Sequence, residues 1–512
     1  MKSLFKTVAL ITFFSVLTRI IGFFFRIYLS RVVGAEGLGM YQVASSIFFV
    51  LMTVVASGLP LIISRMGAGF RAKKEEKNEK SLISTALIFA LALSIILCLF
   101  VLLFRGLFAK MFTDQRCVEI LIVMLPSIIF SAVYSVFRGA LWGQGNYFAL
   151  CVTELFEQVF RIFVCVLMLG ASLSAIENAL NVGWSMTFAC LASMVFVVVL
   201  FFFYGGRMSK PSKSIFKPLV RQSTPITGIR VAGSFIQPLI ALIIPARLTA
   251  IGYTSSQALA MYGVAVGMTM PLLYVPTTII GSLSTALIPD LSTAVAQGDK
   301  VHIENRVRTS IIFSLFVSAI FVPAYIGVGE LAGLFLYNNA LSGSLLASAA
   351  WVMIPMGITN ITSALLNSLG YEVKSFVNYL IGSVFMFISL WILPSFVGIN
   401  AMIWGMGISF LVTAILNTLM LKRKTGLVLH LTKPIIKICL LILPASALSY
   451  FVGSLSNIIF PDFIAICLGG GVGAGTFLLL CAVFNLIDIR SFLVQSKKRL
   501  FGDKKKVKKK TA

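Results

Sequence analysis

Along this chain, apolar runs about 20 residues long recur from one end to the other, separated by short polar stretches. A run of that length crosses a bilayer as a helix, since a lipid-exposed backbone must satisfy its own hydrogen bonds. The runs predict about fourteen spanning helices. They begin with Thr7–Val32 and Tyr41–Ile63 and end with Ile435–Leu455 and Phe463–Ile487. Composition agrees: 59% of the 512 residues are hydrophobic and 12% are charged, roughly half the charge of a soluble domain. Mean hydropathy is +1.00. The fold class expected is an all-α polytopic membrane protein. The N-terminal run opens like a secretory signal, but no small-residue cleavage motif precedes Arg19 and the run reaches spanning length. It is expected to remain as the first helix.

The net charge of +25 is placed in short segments between the runs and in the tail "KKRLFGDKKKVKKK". Such clusters orient a membrane protein and meet anionic head groups, so nucleic acid is not an expected partner. "RMGAGFRAKKEEKNEK", "GGRMSKPSKSIFKPLVR", "GDKVHIENRVR" and "KRKTGLVLHLTKPIIK" fall on one side with the tail. The opposite connectors lack Lys and Arg, with "RGLFAKMFTDQR" the exception. This asymmetry predicts a multi-pass protein of the bacterial cytoplasmic membrane with both termini cytoplasmic. No connector exceeds about twenty residues, too short for a soluble enzymatic domain. The eight cysteines form no pairing framework, and His302 and His430 lie in polar connectors with no metal-ligand spacing around them. No cofactor, metal or catalytic residue is expected.

The chain also resembles itself at an offset of 221 residues. Arg26 precedes "MYQVAS" (Met40–Ser45) by the same interval as Arg247 precedes "MYGVAV" (Met261–Val266), and "ALWGQGNY" (Ala140–Tyr147) is echoed by "ALLNSLGY" (Ala364–Tyr371). Two parallel six-helix lobes around a central cavity are predicted, 1–210 and 211–425. Two extra helices at 426–490 and a basic cytoplasmic tail at 491–512 follow. Rocking of one lobe against the other would give alternating access. The extra helices either form a groove for a polyprenyl tail or serve lobe packing.

Charges inside spans are the candidate functional residues. In "TRIIGFFFRIYLSRVVGAEG" (Thr18–Gly37), Arg19 and Arg26 are two turns apart and share a face with Thr12, Ser15 and Gly22. Arg230 and Arg247 lie in the seventh span, which Pro238 and Pro245 interrupt; Pro271, Pro276 and Pro289 mark bends in the eighth. The fifth span carries "ELFEQVFRI", where Glu154, Glu157 and Arg161 share a face. Glu157 and Arg161 have i,i+4 spacing for a structural clamp, and ion coupling is the alternative role. Arg19, Arg26, Arg230 and Arg247 bias the interior positive, which selects an anionic ligand, and planar guanidinium forks suit phosphate.

The opening "TRIIGFFFRIYLSRVVGAEGLGMYQ", the basic turn after the second span and "EQVFRI" resemble the stage V sporulation protein B and polysaccharide-exporter branch of the multidrug/oligosaccharidyl-lipid/polysaccharide (MOP) superfamily. The resemblance covers the length of the chain and is most specific in the first two spans. It extends to the bacterial lipid II flippases, whose first helix has an "RxxGF…R…GA" pattern with essential arginines. Arg19, Gly22, Phe23, Gly34 and Ala35 match in place, and Arg26 matches with a one-residue shift. The eighth span has no arginine where those flippases use one, which leaves Arg247 as the candidate substitute. The resemblance implies a flippase for undecaprenyl-diphosphate-linked saccharide of the peptidoglycan-precursor type. Its partners would be a lipid-linked anionic saccharide, membrane lipids and envelope-synthesis proteins. A drug or cation antiporter on the same fold is the alternative. A membrane synthase or scaffold is a third reading, disfavoured because no loop holds an acidic cluster or a nucleophile–base pair.

Overall fold

A computed structural model describes residues 2–282, 291, 297, 300–426 and 432–484. His430, Pro289, the end of the last expected span and the basic tail lie outside these residues. Every regular element among the described residues is helical. Among the described residues, twelve helical segments are long and apolar enough to cross a membrane. The expected fourteen and these twelve differ at two places. The first segment, Leu10–Ala72, holds 63 residues, about 95 Å of helix and enough for two crossings of a roughly 30 Å core. Tyr147–Met168 is a further 22-residue helix whose three charges set it apart from the twelve.

The first element, α1 (Lys2–Ala56), runs without a loop through what the sequence reads as two spans. It is broken only at Gly34, with φ 75° and ψ 172°. That backbone geometry is costly for any residue with a Cβ, while the space around Gly34 is open. The glycine therefore serves the turn. After Ser57 and Gly58, α2 (Leu59–Ala72) starts with Pro60 in its first turn, where its missing N–H costs nothing. Then follow α3 (Glu76–Leu103), α4 (Arg105–Met111), α5 (Arg116–Gly143), α6 (Tyr147–Met168) and α7 (Ala175–Phe203). A capping box of Ser174 and Glu177 starts α7.

The seventh span divides into α8 (Lys213–Ser234) and α9 (Ile236–Ala250). Pro238 cannot donate to the carbonyl four residues earlier, which belongs to Ser234, and α8 ends there. Pro245 sits inside α9 without breaking it. The eighth span opens with α10 (Ser255–Gly263), relaxes into a π turn over Val264–Thr269 and resumes as α11 (Met270–Leu273). The π turn ends just before Pro271, whose absent donor breaks the ordinary register. The chain turns again at Tyr274, two residues before Pro276.

The remaining helices are α12 (Lys300–Tyr337), α13 (Ala340–Ala349), α14 (Met353–Ser368), α15 (Glu372–Ile392), α16 (Pro394–Val397), α17 (Asn400–Thr425), α18 (Thr432–Ile459) and α19 (Asp462–Val483). The helices form two compact units, Met1–Pro271 with Ser389–Met402, and Leu272–Ile388 with Ile403–Ala512. The first unit extends past the first repeat because α8, α9 and α10 lie against α1.

Within the first unit, α1 and α10 cross backbone to backbone. A Cβ on Gly39 would overlap the Leu259 carbonyl, and one on Gly263 would overlap that of Ala35. Arg116, in the basic stretch that breaks the charge pattern, is bound by carboxylates. Its Nη2 donates to Asp114 Oδ2 at 2.7 Å, Glu36 Oε1 at 2.8 Å and Ser256 Oγ at 3.2 Å. The ion cluster thus ties the start of α5 to α1 and α10. Within the second unit, α18 and α19 pack on each other and on α12 through small residues. Ser449 Oγ donates to Gly469 O at 2.9 Å, and a Cβ on Gly327 would strike Ser449.

Candidate functional site

Arg19 and Arg26 both lie on α1 before the Gly34 break and are exposed. Seven residues separate them, about 10 Å along the axis and two turns, so they point the same way. Between them Gly22 lets α6 come close: a Cβ there would sit 3.3 Å from Gln158 Nε2. Among the described residues, neither arginine has an ion-pair or hydrogen-bond partner.

The charges on α6 are satisfied differently. Arg161 Nη2 donates to Glu157 Oε1 at 2.7 Å, the clamp that the i,i+4 spacing predicts. Its Nε is buried with no partner among the described residues. Glu154 accepts from Arg138 Nη2 on α5. Arg138 was absent from the residues singled out in the sequence; its only signal there was a lone arginine near the end of an apolar run. Beside this pair, Tyr134 donates to Thr153 Oγ1 at 3.3 Å. Tyr41, just past the α1 break, is half-buried and within electrostatic reach of both Arg161 and Arg26. Tyr41 thus lies near Arg26, which stands on the other side of the Gly34 break in the same helix.

The two arginines of the seventh span have separate tasks. Arg230 is exposed, and its Nη1 donates at 2.5 Å to Ser57 O, a carbonyl released where α1 ends. It holds the junction of α1 and α2, which fits tightly against α8 because Gly58 leaves room for Thr227. Arg247 is half-buried and stacks on Trp391, 4.7 Å from the ring centre. Its Nε is buried and unpartnered among the described residues. Arg230 and Arg247 therefore share a span without sharing contacts: one binds backbone, the other an aromatic face. In the second unit, a buried polar network links Asn378, Asn417 and Ser363, with Asn378 donating to Asn417 Oδ1 at 2.9 Å and Asn417 to Ser363 Oγ at 3.0 Å. Among the described residues, no group of His, Cys, Asp and Glu is placed to hold a metal ion.

Twelve helical segments of spanning length among the described residues, one broken at Gly34, with Arg19 and Arg26 left without a partner there, define a polytopic membrane protein. The chain belongs to the polysaccharide biosynthesis protein family, and the family match covers residues 4–295. The stage V sporulation protein B of Bacillus subtilis (strain 168) is 28% identical over 330 residues, which are 60% of this chain and 61% of that protein. The chain thus spans about three fifths of that relative's length. The lipid II flippase MurJ of the same organism is 18% identical over 467 residues, 84% of each chain. Among solved structures, lipid II flippase MurJ in an inward closed conformation superposes with a TM-score of 0.69 at 13% identity, covering 93% of this chain and 98% of that one. An inward-facing MATE family multidrug resistance transporter gives 0.67 at 17% identity, covering 80% and 94%.

Proposed function

We propose that this protein moves an undecaprenyl-diphosphate-linked saccharide of the peptidoglycan-precursor type across the cell membrane by alternating access. The reading keeps both termini cytoplasmic and keeps the lobes at 1–210 and 211–425. The observation that carries it is the contrast on the α1 and α6 faces. Both α6 carboxylates already hold an arginine, while Arg19 and Arg26 have no counter-charge among the described residues. A guanidinium uncovered by protein within a span costs at least about 3 kcal/mol in lipid, so such a face belongs to water and to an anion. A diphosphate supplies two adjacent anionic centres that planar forks bind well. In this reading Arg19 and Arg26 receive the diphosphate, Arg247 contributes from the second repeat, and Arg230 serves mainly the helix junction. Glu154 and Glu157 act as clamps rather than as cation sites. The names of the relatives, a lipid II flippase and a sporulation protein, support a lipid-linked cell-wall saccharide.

The MATE-like fold favours a second reading, a drug or cation antiporter. Complementation of a strain depleted of its lipid II flippase separates the two. Wild type is expected to restore growth, and Arg19→Ala to fail while reaching the membrane at normal levels. Full rescue by Arg19→Ala would defeat the arginine-face reading. Failure of wild type to complement, together with drug resistance on expression, would establish the antiporter.

A further inference from the structure

A second cationic surface lies on α8. The helix buries Ile215, Leu219 and Ser223, spaced four residues apart. Two positions before each stand Lys213, Lys217 and Arg221, all exposed. Two residues turn a helix by about 200°, so the cations form a stripe opposite the buried one. The stripe borders an open surface hollow of about 630 Å³ together with Ser214, Pro218 and Gln222. Among the described residues, no acidic side chain lines it and none of the three cations has an ion-pair or hydrogen-bond partner. Three like charges along about 12 Å of helix repel one another and gain from an anion between them.

We propose that this stripe is a receiving site for the diphosphate of a lipid head group, distinct from the α1 face; the choice of diphosphate rests on the proposed function. Neighbouring cations stand one turn apart, about 6 Å along the axis. Two of them can each engage one phosphoryl group of a single diphosphate, whereas a phosphodiester head group offers charge at one centre only. Ser214 and Gln222 supply neutral hydrogen-bonding groups for the substituent that the diphosphate carries.

The test uses the full-length protein in zwitterionic nanodiscs, with inorganic pyrophosphate and inorganic phosphate as probes in calorimetric titrations. A background of Arg19→Ala with Arg26→Ala removes the α1 face. In that background, pyrophosphate is expected to bind more tightly than phosphate, with affinity that falls as salt rises. Lys213→Gln, Lys217→Gln and Arg221→Gln together are expected to weaken pyrophosphate binding at least tenfold. Lys213→Arg with Lys217→Arg should retain it, which separates lost charge from lost fold. Unchanged binding in the glutamine variant would overturn the site. Equal affinity for phosphate and pyrophosphate would assign the stripe to ordinary phospholipid head groups and overturn the diphosphate choice. Failure of the flippase reading would appear in complementation and would leave the pyrophosphate titration unaffected.

Discussion

Arg116 is held by two carboxylates and a hydroxyl at once, which neutralises a basic residue on the side where the sequence otherwise avoids them. Burial pushes the Asp114 carboxyl up, but the hydrogen bonds and charge of Arg116 outweigh it and hold the group below the usual carboxylate range. As pH falls, the unfolded chain takes up this proton first. The stabilisation is thus complete above about pH 4 and is lost as pH drops through the lower native value. The melting temperature of wild type should exceed that of Asp114→Asn near neutral pH, and the gap should close in acid. The Glu157–Arg161 pair makes a different prediction. Glu157→Ala strands a half-buried guanidinium and should cost up to about 3 kcal/mol. Glu157→Ala with Arg161→Ala should recover part of that loss, as a double-mutant cycle on unfolding would measure. The i,i+4 spacing made this pair legible in the sequence. Arg138 with Glu154, Arg230 with Ser57 and Arg247 with Trp391 were not legible, because each reaches beyond its own helix and no local pattern encodes the partner.

At the scale of elements, the apolar runs located the spans because length and hydropathy leave a segment few alternatives in lipid. They did not reveal that the first two spans form one element, since a single glycine with positive φ replaces a loop. Pro238, Pro271 and Pro276 stand next to breaks in helical register, whereas Pro245, expected to interrupt its span, lies inside α9 without one. The π turn before Pro271 required the backbone itself. The α1–α10 crossing yields a direct test. Gly39→Ala and Gly263→Ala each force a methyl into a facing carbonyl and should destabilise by about 1–3 kcal/mol. Gly69→Ala, on α2 where an added Cβ meets nothing, should leave the melting temperature unchanged or slightly raised. Thermal melts of the three purified variants decide the matter.

For the whole molecule, charge asymmetry is the property that sequence conveys best, because it depends on counts rather than contacts. It predicts that a cysteine placed at Lys73, next to the basic turn after α2, reacts with membrane-impermeant maleimide only in inverted vesicles. A cysteine at Asn338, between α12 and α13, should react from outside intact cells. Reversed labelling would invert the topology. The family and the all-helical, many-span fold were likewise within reach of the sequence, whereas the pairing of distant arginines required the fold. One contact also bears on the internal repeat. Subtracting the 221-residue offset puts Leu259 in register with Leu38, beside Gly39, the residue it meets. The crossing therefore sets two stretches related by the internal repeat against each other at nearly equivalent residues, so a bulkier side chain at either glycine strains both copies at once.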